Sequence, residues 1–265
     1  MTTTFAAARR HRPGGVIEKL PEVDAFFWII KILCLTVGAT FAEAVSGIAG
    51  ASSKTTAVIF LAAFAAVLLF QLSLDRYVPE AYWLAVTMAG AFATCFTTVL
   101  TDDWGVTPSA ATVLLALLLA AVLAAWQALA GTLSLDRVNS LEREGCYWTA
   151  VLVSFVLGET GRVWAVQDVS ASPFGTMLMP AFACAAVLIA HRFGAYVSIS
   201  FWIAFVLTGS FGADLGDWVR AARSDGGVGL GTGTTTGLFL VAIVLVTAFR
   251  ASRRVDVDPA TLHGI

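Results

Sequence analysis

Charged residues are scarce in this chain, and that shortage decides its class. Of 265 residues, 13% are charged and 58% are hydrophobic, and the mean hydropathy is +0.83. A soluble domain carries roughly 25% charged residues, because its surface must be solvated. So few charges cannot cover a globule of this size, and we therefore expect an integral membrane protein. The formal net charge of −2 leaves no basic face, so we expect no nucleic-acid partner.

Cysteine and histidine are also too sparse for the common metal and redox centres. The four cysteines form no Cys-x-x-Cys pair, and the three histidines do not cluster along the chain. Their spacing predicts no disulfide framework, zinc site or catalytic nucleophile. The Gly-rich stretch at 226–233 is not followed by the Lys and Ser or Thr of a nucleotide-binding loop. We therefore predict no enzyme and no resident cofactor, and leave open only a bound divalent cation.

Long apolar runs fill most of the chain. A helix needs about 20 mostly apolar residues to cross the ~30 Å hydrocarbon core, and these runs do not alternate as the strands of a barrel would. The sequence therefore predicts an all-α, polytopic membrane helix bundle with about eight transmembrane helices. The predicted spans are 26–48, 55–74, 80–100, 109–131, 146–165, 173–191, 195–214 and 231–250.

The odd-numbered spans share a repeated pattern. An aromatic residue followed by Trp opens each of them, at intervals of 55, 65 and 54 residues between tryptophans. A Gly or Ala stands ten residues after each Trp. The aromatic–Trp pairs are Phe27-Trp28, Tyr82-Trp83, Tyr147-Trp148 and Phe201-Trp202, and the small residues are Gly38, Ala93, Gly158 and Gly212.

This periodicity predicts four tandem helical hairpins, at about 21–75, 76–137, 138–192 and 193–250. Each hairpin contains two spans, so all four have the same orientation and the repeats are parallel. We interpret the Trp rings as anchors at the headgroup level of the membrane. We interpret the small residues as positions where neighbouring helices approach closely.

The repeat segments resemble a known family of bacterial and archaeal membrane proteins. These proteins have four tandem two-helix repeats, each with a characteristic Trp, and the repeat has no assigned function. The similarity is carried by Pro21-Glu22-Val23 before the first Trp, by Arg76-Tyr77-Val78-Pro79 before the second and by Gly212-Ala213-Asp214 after the fourth. It covers roughly residues 20–250 and implies the fold but supplies no activity.

The family pattern also marks acidic positions. In the family, a Gly-Glu-Thr triplet is followed by an acid five residues after its Gly. Here the acidic position is kept by Glu43 and by Asp217, while the third repeat keeps the triplet as Gly158-Glu159-Thr160 and has Val163 at the acidic position. The resemblance therefore carries the family's acidic positions onto the first and fourth repeats.

The balance of Lys and Arg predicts the orientation. With the N-terminus in the cytoplasm, eleven of them lie on that side and four on the other, namely Lys54, Arg162, Arg220 and Arg223. This bias places both termini in the cytoplasm. We therefore expect a multi-pass protein of the bacterial cytoplasmic (inner) membrane, with a membrane domain at 21–250 and short disordered cytoplasmic tails at 1–20 and 251–265.

Ionisable side chains inside the spans are the candidate site. Each costs about 2.5–3.5 kcal/mol to insert, so such residues usually face a cavity or one another. With 1.5 Å of rise per residue, Glu159 lies about 16 Å beyond its Trp, near the midplane, and Glu43 and Asp217 lie about 22 Å beyond theirs. Carboxylate oxygens suit hard divalent cations. The predicted metal ligands are Glu43, Glu159, Asp214 and Asp217, and the predicted transport path adds Lys31, Thr40, Thr160 and Asp102.

The charges allow other pairings. Arg162 follows Glu159 by three residues and could neutralise it across one helical turn, which would weaken the metal hypothesis. Lys31 could pair with an acid of another span or extend its amine to the membrane surface. The acids nearest the span ends could simply contact water.

Two functions of different classes follow. The first is a small secondary transporter that exports a divalent cation such as Mn²⁺ in exchange for protons. The alternative is a non-transporting accessory or assembly subunit of a larger membrane complex. The expected partners are the lipid bilayer and a small inorganic cation or protons, and a homo-oligomer is left open.

Overall fold

The computed structural model describes residues 20–74, 77–131, 133, 140–169, 173–192 and 197–255. Most of the two predicted tails, at 1–19 and 256–265, lies outside the described residues. All the regular structure in the described part is helical, with no strand, which confirms the all-α prediction. The α-helices are α1 (Ala25–Ala49), α2 (Ser53–Leu72), α3 (Pro79–Thr98), α4 (Pro108–Ala130), α5 (Leu141–Val169), α6 (Pro173–Arg192), α7 (Val197–Arg220) and α8 (Gly231–Val255).

The helix ends follow local sequence signals. The side chain of Asp24 caps α1 by accepting a hydrogen bond from the backbone N–H of Phe27 at 2.8 Å. Pro79 and Pro108 stand in the first turns of α3 and α4, where a missing N–H costs nothing. A single π-helical turn, Val99–Asp103, extends α3. The helix α8 runs to Val255, so the predicted tail at 251–265 begins as helix.

Seven of the described helices are long and apolar enough to cross a membrane. The exception is α6, which contains Pro180 and whose apolar stretch, Phe174–Ala190, has 17 residues. The chain is therefore a multi-pass membrane protein with seven candidate spans and one shorter apolar helix among the eight predicted spans.

The four odd-numbered helices form a closed inner ring. Within it, α1 packs against α3, α3 against α5, α5 against α7, and α7 back against α1. The even-numbered helices lie outside: α2 packs on α3, α4 on α5, α6 on α7, and α8 on α1. The predicted hairpins are therefore not the packing units, since the second helix of each repeat packs mainly on the first helix of the next repeat.

Aromatic side chains explain this offset packing. Phe64 on α2 reaches Trp148 of α5 at 6.1 Å between ring centroids, and Trp126 on α4 reaches Trp202 of α7 at the same distance. Thus α2 helps to bury the indole of Trp148 on α5, and α4 helps to bury the indole of Trp202 on α7. The opposite faces of the outer helices expose large apolar side chains, which is the surface that lipid contacts. Examples are Val58, Leu69, Leu114, Leu117, Val244 and Leu245.

Three of the four repeat tryptophans are buried inside the bundle, so the anchor interpretation is wrong for these three. Trp83, Trp148 and Trp202 are at most 5% exposed. Each Trp contacts the aromatic residue that opens the preceding repeat, and Trp28 closes the circle by contacting Phe201 at 5.6 Å. The remaining pairs are Phe27–Trp83 at 5.6 Å, Tyr82–Trp148 at 5.4 Å and Tyr147–Trp202 at 6.3 Å.

These eight residues form an aromatic layer at the N-terminal ends of the inner helices. The hydroxyl groups of Tyr82 and Tyr147 form a hydrogen bond inside it, and both side chains are buried. Because the N-terminal ends of all four inner helices meet there, the inner helices are parallel, as the repeat predicted. The close-packed aromatic side chains of this layer close that end of the ring of inner helices.

The small residues act as predicted. A Cβ atom on Gly38 of α1 would lie 2.8 Å from the carbonyl oxygen of Thr87 on α3. A Cβ on Gly158 of α5 would lie 3.0 Å from the carbonyl oxygen of Val206 on α7, and one on Gly212 of α7 would lie 2.8 Å from that of Ile32 on α1. Each glycine therefore lets its inner helix touch the next one in the ring.

Candidate functional site

A small cavity lies on the axis of the inner ring. Its volume is about 20 Å³, enough for about one water molecule. Eight of its nine lining residues occupy two equivalent positions of the four repeats, seven and eleven residues after each Trp. The lining residues are Leu35, Gly90, Phe155 and Gly209 at the first position, Ala39, Thr94, Glu159 and Ala213 at the second, and Ala93.

Glu159 is the ionisable group of this lining. It is 6% exposed and lies on α5. At the equivalent position the other repeats have two alanines and a threonine, so Glu159 is the one ionisable side chain at this level of the four inner helices. The predicted deep position of Glu159 therefore coincides with the central cavity.

Arg162 connects Glu159 to the acids of α7. Its guanidinium donates through Nε and Nη2 to Glu159 Oε1. It donates through Nη1 to Asp217 Oδ2 at 2.8 Å, and the same nitrogen lies 3.7 Å from Asp214 Oδ1. Of the two charge pairings left open from the sequence, the structure contains the one between Glu159 and Arg162.

A second arginine extends the network outward from the axis. Arg220 Nη2 lies 2.7 Å from Glu43 Oε1 on α1 and 3.0 Å from Asp217 Oδ1 on α7. Side-chain exposure rises from 2% at Asp214 and 7% at Glu159 to 35% at Glu43. The six residues, which we call the charge cluster, are Glu43, Glu159, Arg162, Asp214, Asp217 and Arg220.

The charge cluster brings together all four predicted metal ligands, but around two guanidinium groups. In the described part of the chain, no group of three or more His, Cys, Asp or Glu side chains is placed to hold a metal ion. The carboxylates here are instead occupied by ion pairs. The predicted span at 195–214 ends too early, because α7 continues to Arg220 and carries Asp217 within the helix. The helix can continue because these charges pair with one another.

Lys31 lies apart from the charge cluster. It is fully buried and neither extends to the surface nor pairs with an acid of the described residues. Its Nζ donates to the carbonyl oxygen of Phe205 at 2.7 Å and to Thr208 Oγ1 at 2.8 Å. It also lies 4.1 Å from the ring centroid of Phe205 and 5.1 Å from that of Phe155.

The other predicted path residues lie elsewhere. Thr40 is buried between α1 and α8, where it accepts a hydrogen bond from Thr236 at 2.9 Å. The hydroxyl of Thr160 bonds to the carbonyl of Leu157 in its own helix. Asp102 is exposed in the π-helical turn after α3. None of these three contributes a contact to the charge cluster among the described residues.

The central role of the two arginines was missed from the sequence. Both were counted with the basic residues of the outer side, and only the pairing of Arg162 with Glu159 was considered, although each follows an acid by three residues, as Glu159-x-x-Arg162 and Asp217-x-x-Arg220. That spacing places the pair on one helical face. The repeated acid-x-x-Arg pattern was the available signal. No pattern in the sequence indicated that Arg162 would also pair with the acids of α7.

The fold and the site define a multi-pass membrane protein built from repeated two-helix units around a central axis. Residues 26–77 and 200–255 match the Repeat of Unknown Function (DUF347), so the chain carries this repeat and the resemblance to a tandem-repeat family is confirmed. The matched segments fall in the first and fourth predicted repeats. Comparisons with curated proteins and with solved structures found no match.

Proposed function

We propose that the protein is a small secondary transporter that exports a cation in exchange for protons, with a divalent metal such as Mn²⁺ as the first candidate. The observation that carries this proposal is the charge cluster beside the central cavity. Four carboxylates and two guanidiniums from three inner helices meet there within spans that are mostly apolar. Charges inside a bilayer are costly, and where they occur they mark substrate or ion pathways, proton relays or counter-ions of bound ligands.

The charge balance supports exchange of a cation for protons. When all six groups are ionised, four negative and two positive charges leave two negative charges without a partner. Two uncompensated charges at low dielectric are unfavourable. Two protons or one divalent cation would balance them, so the same cluster can carry either cargo.

Arg162 has the role of an internal counter-ion in this proposal. While it contacts Glu159 and Asp217, it occupies the oxygens that a metal would need. An incoming cation would displace the guanidinium and take over these carboxylates. Such displacement requires movement between α5 and α7, which are joined at this level by Arg162.

The orientation follows from the positive charges. Of the four basic residues assigned to the outer side, Arg162 and Arg220 are engaged in ion pairs, so fewer free cations remain there than the sequence count gave. The excess on the other side supports cytoplasmic N- and C-termini in the inner membrane. The charge cluster then faces the outer side, and the aromatic layer lies toward the cytoplasm.

The test is the metal content of cells that lack the gene, complemented with wild type or with Glu159→Gln. We expect one divalent metal to accumulate without the protein and to return to normal with wild type. Glu159→Gln should lower export by about tenfold or more, a change of about 1.4 kcal/mol. The variant should still fold, because Arg162 keeps Asp214 and Asp217 as partners.

Glu80→Gln is the matched control, since Glu80 is exposed at the start of α3, away from the charge cluster. It should export as wild type does. Normal export by Glu159→Gln would remove Glu159 from the path. Unchanged levels of every metal with and without the protein would contradict metal export altogether.

The accessory-subunit function is the second candidate, and the internal pairing of the acids favours it. If the ion pairs only hold α1, α5 and α7 together, Arg162→Gln should lower stability and leave metal levels unaffected. Removing one partner of a buried pair costs about 3–5 kcal/mol. A large drop in melting temperature in detergent, without any metal phenotype in wild-type and deletion cells, would support that function.

A further inference from the structure

Lys31 stands on the axis between the cavity and the aromatic layer. It lies three residues after Trp28, and the equivalent residues of the other repeats are Val86, Val151 and Phe205, all at most 1% exposed. The residues four positions further along each inner helix line the cavity. The backbone of Lys31 therefore lies one helical turn before the cavity-lining positions and, by helical rise, about 12 Å before the level of Glu159. Its amine lies 5.1 Å from the ring centroid of Phe155, which lines the cavity.

The surroundings of Nζ suit both protonation states of the amine. Two acceptors face it, the carbonyl oxygen of Phe205 and the hydroxyl oxygen of Thr208. The Thr208 hydroxyl gives its own hydrogen to the carbonyl of Ala204 at 2.7 Å, so toward Lys31 it accepts. A neutral amine has two hydrogens, which these acceptors satisfy, whereas an ammonium has three donors and its charge can lie against the Phe205 ring.

No carboxylate of the described residues lies within 4.0 Å of Nζ, so a positive charge there has no direct counter-ion. The other titratable groups near it in that part of the chain are the thiols of Cys34 on α1 and Cys184 on α6. An ammonium at Nζ and a metal ion in the cavity would repel each other strongly, because the medium between them has a low dielectric constant.

From this geometry we propose that Lys31 carries a proton that the transporter exchanges for its cation, a role that rests on the proposed function. When the aromatic layer opens and a cation enters the central cavity, the ammonium gives one proton to water on that side and becomes a neutral amine. When the cation leaves toward the charge cluster, the amine takes one proton arriving through the carboxylates. Each cycle thus returns Lys31 to its starting state, and one proton has crossed.

The experiment uses the purified full chain in vesicles with an imposed pH gradient and Mn²⁺ as the probe. Wild type should concentrate Mn²⁺ on the acidic side. Lys31→Met, which cannot hold a proton, should move Mn²⁺ only until its concentrations are equal on both sides. Lys31→Arg keeps a permanent charge and should reduce Mn²⁺ movement to the level of empty vesicles. Lys54→Met, at an exposed lysine of α2, is the matched control and should concentrate Mn²⁺ as wild type does.

Concentration of Mn²⁺ by Lys31→Met would overturn the role of Lys31 while leaving transport itself supported. Movement of Mn²⁺ by Lys31→Arg at the wild-type rate would overturn it independently. A wild type that moves no Mn²⁺ would instead count against divalent transport, and the inference would fall with it. Size-exclusion profiles distinguish a misfolded variant from an inactive one, and the opposite expectations for Met and Arg keep the test decisive if one of them misfolds.

Discussion

At the scale of single residues, glycines set the distance between the inner helices. Gly38 has no room for a Cβ, since the nearest atoms would be the backbone oxygen of Thr87 and the backbone nitrogen of Ala91, at 2.8 and 2.9 Å. Backbone atoms cannot rotate out of the way as the end of a side chain can. An added methyl group must therefore separate α1 from α3.

We expect Gly38→Ala to lower the free energy of unfolding by about 1–3 kcal/mol through this overpacking. Gly47→Ala is the control on the same helix, because a Cβ there meets nothing within 4 Å. It should be neutral or raise stability by up to about 1 kcal/mol, since Ala favours helix. Thermal unfolding of both variants in one detergent tests this, and equal stability of the two would contradict the close helix contact.

Two residues of the site show how far single positions could be predicted. The level of Glu159 along its helix could be counted from its Trp, because helical rise is fixed, and that level holds the central cavity. The burial of Lys31 against α7 was not predicted, because its partners Phe205 and Thr208 stand more than 170 residues away in the chain. No local pattern in the sequence indicates a contact between residues so far apart along the chain.

At the scale of elements, α3 and α5 are joined by the tyrosine pair of the aromatic layer. The hydroxyls of Tyr82 and Tyr147 are buried and satisfy each other. Replacing one tyrosine with Phe leaves the other hydroxyl without its partner, which costs about 1–3 kcal/mol. Replacing both removes the need for a partner, and repeats one and four already have Phe at this position.

We therefore expect Tyr82→Phe and Tyr147→Phe each to destabilise the protein and the double variant to be close to wild type. A double-mutant cycle from unfolding in detergent measures the interaction energy. Additive losses in the double variant would show that the two hydroxyls do not depend on each other.

The helices themselves were well predicted, since each apolar run became a helix at nearly the expected bounds. The larger errors arose where charged residues lie at helix ends, as in α5, α7 and α8. The helix α7 was ended before Asp217 because charged residues usually mark a turn. They remain helical here because α5 and α1 supply their partners, and no local pattern reports a partner on another helix.

At the scale of the whole molecule, the outer layer of helices closes where α8, from the last repeat, packs on α1 of the first. The rings of Phe26 at the start of α1 and Phe249 near the end of α8 lie 6.1 Å apart. In contrast, α2 packs on α3 rather than on α1, its neighbour in the same repeat.

Paired cysteines test this closure. In a background with the four native cysteines replaced, Phe26→Cys with Phe249→Cys should cross-link within one chain through a short thiol reagent. Phe26→Cys with Phe70→Cys, at the end of α2, is the control pair and should cross-link poorly. Efficient reaction of the control pair would favour hairpins packed as repeat units and contradict the ring.

The sequence by itself determined the membrane class, the helix positions, the repeat and the position of each acid along its helix. These properties depend on hydropathy, periodicity and helical rise, which are local along the chain. Only the tertiary structure decided that outer helices pack one repeat ahead, that three of the four repeat tryptophans are buried, and that Arg162 and Arg220 gather the acids. Those outcomes depend on contacts between helices far apart in the chain, where shape and charge from two distant segments must fit together.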